Sequence, residues 1–118
     1  MTVEQAYCVL GGNYNEVIGH LQSDDAIRSI IEMFLKSSTY GELMSAAESH
    51  DLHKLFDEAH SLKGVALNLS LTRLAESAGE LTEALRGGKD PGAAKTDELV
   101  ADVKRDYDKT VMVLGKVQ

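Results

Sequence analysis

The chain has 118 residues, 43% of them apolar and 26% charged, and a formal net charge of −7. That length makes one domain with a real core, and the acidic balance argues against a nucleic-acid or anionic-membrane partner, since both need a basic surface. One proline, no tryptophan and almost no β-branched alternation favour an all-helical fold.

Val3–Leu10 reads as a short helix ended by Gly11 and Gly12. Cys8 has no partner for an internal disulfide and, lying among apolar residues, is expected to fill the core. Asn13, Tyr14 and Asn15 form a turn, and a short helical piece over residues 16–21 follows. Residues 1–22 thus form an arm covering one end of a bundle built from residues 23–118. No basic region followed by an apolar run opens the chain, so it carries no signal-peptide pattern. No apolar run approaches the length of a membrane span. The expected compartment is the cytoplasm.

Ser23 and Asp24 are both suited to cap the next helix. Its apolar positions, Ile27, Ile30, Ile31, Phe34 and Leu35, form one face. Ser37, Ser38 and Thr39 interrupt it, and residues 40–49 resume with Leu43, Met44 and Ala47. The pattern fits two helices or one kinked helix. Asp51 caps a helix running to about Leu67, with Asn68 suited to a left-handed end. Ser70 is expected to cap the following helix, whose stripe is Leu71, Leu74, Ala78, Leu81 and Leu85. So short a turn makes the two helices antiparallel. Gly79 in mid-helix costs about 1 kcal/mol against alanine, which a close helix contact would offset. Residues 87–92 form the one conspicuous loop. The last helix begins near Ala93 and carries Leu99, Val103, Tyr107, Thr110, Val111 and Leu114. The sum is an antiparallel up-down four-helix bundle with a short N-terminal helical extension.

The helix over residues 52–67 carries the chemistry. At about 100° per residue, Leu52, Leu55, Ala59, Leu62, Ala66 and Leu69 fall on one arc, the buried stripe. His60 lies roughly 140° from the centre of that arc, so its ring points outward. His53, Phe56, Gly64 and Leu67 project on the same side, and Lys63 lies at the edge between the faces. A neutral imidazole leaves one ring nitrogen free to act as a nucleophile. Lys63, one turn on, places a cation at the edge of the same face. Gly64, also one turn on, removes side-chain bulk there.

Residues 56–74, FDEAHSLKGVALNLSLTRL, closely resemble the signature of histidine-containing phosphotransfer (HPt) domains. The match lies in Ala59, His60, Leu62, Lys63, Gly64 and Leu74, and the helix order and acidic charge resemble the family over nearly the whole chain. The resemblance implies a phosphorelay carrier. His60 takes a phosphoryl group from a receiver-domain aspartate or a sensor histidine kinase and passes it to another receiver. The receiver supplies Mg²⁺, so this chain needs no cofactor or metal and has no kinase activity of its own. His53, Phe56, Asp57 and Leu67 belong to the docking surface. Two positions depart from the pattern. Ser70 stands where the family has a turn glycine. Thr82, with Glu83 beside it, stands where relatives carry a Gln or Glu that bonds the histidine's other nitrogen; both are taken as phosphohistidine-supporting candidates. A monomer is expected, and Met1 at the start favours a free-standing protein.

Two other readings compete. One is an HPt-like bundle that docks receivers without carrying phosphate; the intact His60, Lys63 and Gly64 argue against it. The other is a metal site from His50, His53 and His60. His53 and His60 are two turns, about 10 Å, apart, too far for both rings to bind one zinc, and His50 precedes the helix cap.

Overall fold

A computed structural model describes residues 1–118. It is all helix: α1 (Val3–Leu10), α2 (Tyr14–Leu21), α3 (Asp24–Lys36), α4 (Thr39–Glu48), α5 (Leu52–Asn68), α6 (Thr72–Leu85) and α7 (Ala93–Leu114), with a 3₁₀ turn at Arg86–Gly88. The chain is an antiparallel four-helix bundle carrying a short N-terminal helical extension. α4 packs on α5, α5 on α6, α6 on α7, and α7 returns to α4.

The break between α3 and α4 makes two helices. Ser37 takes extended backbone, with φ −69° and ψ 141°, and ends α3. Its hydroxyl oxygen accepts the Thr39 N–H at 3.2 Å, a side-chain alternative to continuing the helix. Both helices still serve one side of the bundle. Phe34 of α3 and Tyr40 of α4 pack on Tyr107 of α7, with ring centroids 5.7 and 3.7 Å away. The core between the helices is aliphatic, with Ile27, Leu43, Leu55, Leu62, Leu74, Leu81 and Val103 all buried.

The arm does more than cover an end. α1 packs on α7, α2 and α3, and the arm is bonded to the α5–α6 turn at three points. The buried Tyr7 hydroxyl donates to the Leu69 carbonyl at 2.6 Å, the Asn13 N–H donates to the Ser70 carbonyl at 3.0 Å, and the Ser70 hydroxyl donates to Glu16 at 2.6 Å. Gly12 permits this approach, because a β-carbon there would stand 2.9 Å from the Ser70 carbonyl oxygen.

Several local expectations are corrected. Asn13 is a cap, its side chain accepting from the Glu16 N–H at 3.0 Å, so α2 starts at Tyr14 and the expected turn at Tyr14 and Asn15 is its first turn. Cys8 is exposed. The buried positions of α1 are Val3, Ala6, Tyr7 and Leu10, and Cys8 falls off that stripe. Asn68 ends α5 as a helical residue; Ser70 takes the left-handed backbone, at φ 53°. Ser70 does not cap α6, whose first turn receives no side-chain bond. The turn has the Schellman pattern: the Leu71 N–H donates to the Ala66 carbonyl at 2.9 Å and the Ser70 N–H to the Leu67 carbonyl at 3.1 Å. Ser70 therefore occupies a glycine-type conformation, and its bonds to the arm offset the strain.

Candidate functional site

The site is built on α5. Asp51 opens the helix, its carboxylate accepting the Lys54 N–H at 3.1 Å. Leu55, Ala59, Leu62 and Ala66 are buried, and Leu52 is half-buried. That stripe fixes the rotation of the helix about its axis. Lys54 adds a tie to α4 through an ion pair with Glu42 at 2.6 Å. With the rotation set, His60 is exposed on the outer face, and Gly64, one turn on, is exposed beside it. A β-carbon on Gly64 would find no heavy atom within 4 Å. The space next to the imidazole is open, and nothing in the packing demands the glycine.

Lys63 is half-buried. Its Cδ and Cε pass 3.5 Å from where a β-carbon on Gly79 of α6 would stand. The close helix contact expected to offset Gly79 is not there: a β-carbon would meet only this flexible side chain. A methyl group fits there at ordinary contact distance; a longer side chain would push the stem aside.

On the other flank, the Phe56 ring lies parallel to His60, with centroids 6.0 Å apart and planes within 4°. The Arg86 guanidinium carbon stands 5.5 Å from the Phe56 centroid, a cation over an aromatic face. Arg86 also donates to both carboxylate oxygens of Glu83, at 2.9 to 3.1 Å. The bond from Arg86 holds the Glu83 carboxyl below the usual carboxylate range, and the charges of Lys63 and Lys89 act in the same direction.

Of the two phosphohistidine-supporting candidates, neither bonds the imidazole. Thr82 is fully buried, and its hydroxyl donates to the Ala78 carbonyl of its own helix at 2.7 Å. The reason is the width of the buried arc of α6. Packed against both α5 and α7, the helix buries Ser77 and Thr82 along with Leu74, Ala78, Leu81 and Leu85. Glu83 is on the surface and engaged with Arg86. Arg86 is the residue that the sequence reading missed. Gly79, Glu83 and Arg86 share a face of α6 at helical spacing, but only the packing of α6 on α5 brings that face to Phe56.

The docking candidates lie along α5 on both sides of His60. His53 is exposed, with Nδ1 3.5 Å from Asp57 Oδ2. Both border a cleft of about 420 Å³ beside Phe56, closed on the far side by Leu85 and Gly87. Leu67, 53% exposed, borders a second cleft of about 310 Å³ with Ala66 and Ala75. His50 has left-handed backbone, φ 54°, in the turn before Asp51. No three His, Cys, Asp or Glu side chains are arranged to hold a metal ion. No helix is long and apolar enough to cross a membrane.

His60 is thus exposed on the outer face of α5, with Lys63 and Gly64 one turn on. The family model for the Hpt domain matches residues 29–111, a span that runs from α3 into α7 and includes His60. The chain belongs to the Hpt domain family. Members of this family are phosphotransfer carriers of phosphorelays rather than kinases, and they interact with receiver domains and kinases. Comparisons with curated proteins and with solved structures returned no match.

Proposed function

We propose that this chain is a phosphorelay intermediate that carries a phosphoryl group on His60 between a donor, a receiver-domain aspartate or a sensor histidine kinase, and a second receiver. One nitrogen of the neutral imidazole attacks the phosphorus of an aspartyl phosphate. The N–P bond forms, the P–O bond to the aspartate breaks, the carboxylate leaves, and the ring's other nitrogen sheds its proton to solvent. Transfer to the next receiver runs the same exchange in reverse.

The observation that carries this reading is the combination at one place of an exposed His60, the open space over Gly64 and the half-buried Lys63. Phosphoryl transfer needs positioning and charge neutralisation more than covalent help from the protein. Lys63 supplies a cation, and Gly64 leaves room for the partner's active site to close on the ring. The Mg²⁺ belongs to the receiver. His53, Phe56, Asp57 and Leu67 form the docking surface, with the two clefts receiving apolar side chains of the partner. The chain acts as a cytoplasmic monomer, without kinase activity.

The test is incubation with a phosphorylated receiver domain. Transfer of an acid-labile label to the wild-type chain and none to His60→Gln supports the reading; equal labelling of the variant overturns it.

A further inference from the structure

Two cations lie in the neighbourhood of His60, Lys63 one turn on and Arg86 over the Phe56 ring that stacks on it, and they are held in different ways. Lys63 runs its stem over Gly79. Arg86 is fixed through its head: the guanidinium lies over Phe56 and grips Glu83 with two nitrogens, Nε and Nη2. Phe56 is the ring that stacks on His60. The guanidinium therefore sits one aromatic ring away from the imidazole, engaged by an anion of this chain.

A phosphoryl group on His60 changes that balance. It brings about two negative charges at neutral pH, as phosphorylated side chains do, against one on Glu83. A carboxylate and a phosphoryl group both fit the planar fork of arginine bidentately. Arg86 is exposed, at the end of α6, so its side chain is not locked in the core and the proposed exchange is a rotation of that side chain. We infer that Arg86 is a second phosphoryl-binding residue and that Glu83 is its built-in counter-anion, occupying the guanidinium while His60 is bare and yielding it on phosphorylation. This rests on the reading of His60 as the phosphoryl acceptor and adds a consequence to it. Glu83 competes with the phosphoryl group for one cation, so it weakens the phosphorylated state and helps the carrier give up its cargo. The carboxylate also lies within the fields of Lys63 and Lys89, which places it among the charges that a phosphoryl group would meet.

The experiment measures the equilibrium partition of phosphoryl label between a receiver domain and this chain, in the wild type, Arg86→Gln, Arg86→Lys, Glu83→Gln and the Arg86→Gln/Glu83→Gln double variant. Arg86→Gln should shift the partition away from His60 by about fivefold, the size expected for one partly solvated charge-assisted contact. Arg86→Lys should restore part of it. Glu83→Gln should shift it toward His60 by about threefold, and most of that effect should vanish in the double variant, because Glu83 acts chiefly through Arg86. Two results overturn the inference while leaving His60 as the acceptor: an unchanged partition in Arg86→Gln, or a Glu83→Gln effect that persists largely undiminished without Arg86. A wild-type chain that takes no label overturns the acceptor reading, and this inference with it.

Discussion

The side chain of Lys63 crosses α6 directly over Gly79, its Cδ and Cε 3.5 Å from the position that a β-carbon there would take. The glycine and the lysine are one device. With no side chain at position 79, the lysine stem has room to pass over α6. Gly79→Ala fits under the stem and gains helix propensity, so it should raise stability by about 1 kcal/mol with transfer intact. Gly79→Leu should displace the stem and slow transfer about as much as Lys63→Ala does. Melting curves and transfer rates on the three variants check this. Full-speed transfer by Gly79→Leu would show that the stem's path is irrelevant.

Gly64 separates stability from function. It sits in a helix, exposed, with nothing within 4 Å of an added β-carbon. Gly64→Ala should therefore stabilise the fold by about 1 kcal/mol. On the proposed mechanism the same methyl projects into the space left for the phosphoryl group and the partner, so transfer should fall by about tenfold. A variant that is more stable and equally fast would mean that the open space has no role.

The periodic elements were legible from sequence alone, because the buried stripes of α3, α5, α6 and α7 are long and their apolar residues decide which face turns inward. His60 followed from the same arithmetic: once Leu55, Ala59, Leu62 and Ala66 are buried, the ring faces out. What the sequence hid depends on pairs of elements. Thr82 looks like a surface residue until α6, packed between α5 and α7, buries it. Arg86 looks like a loop residue until the α5–α6 packing sets it over Phe56. Ser70 looks like a cap, because the arm that bonds it lies more than fifty residues away in sequence. Cys8 is a plainer case, since the spacing of Val3, Ala6, Tyr7 and Leu10 already leaves it outside.

The clasp between the arm and the α5–α6 turn depends on Gly12. A methyl group there would stand 2.9 Å from the Ser70 carbonyl oxygen and 2.9 Å from Tyr7 Cδ2, so the arm must lift. Gly12→Ala should cost about 1–3 kcal/mol, the range for forced overpacking. Thermal unfolding measures it. An unchanged melting temperature would show that the arm does not hold the turn closely.

The α4–α5 tie has a pH signature. The hydrogen bond from Lys54, then its charge, holds the Glu42 carboxyl below its ordinary value of 4.5. Below 4.5 the unfolded chain therefore binds the proton more readily than the folded one. The pair's contribution is fully present above that pH and is lost as pH falls through the folded-state value. Lys54 is shifted the opposite way, upward from 10.5, so its share is complete below 10.5 and fades as pH rises through the raised value. Stability of the wild type minus that of Glu42→Gln, followed by denaturant titration from pH 6 to pH 3, should shrink toward zero in acid. A difference that stays constant across that range would contradict the assignment.

The central claim is that the phosphoryl group resides on His60. Peptide mapping by mass spectrometry, after incubation with a phosphorylated receiver domain and handling at alkaline pH, addresses it directly. The expected result is one phosphoryl group, labile to acid and stable to base, on the peptide that contains His60, with none on the peptides bearing His20, His50 or His53. Phosphate on any of those other peptides, or a wild-type chain that stays unmodified while its partner is charged, would contradict it.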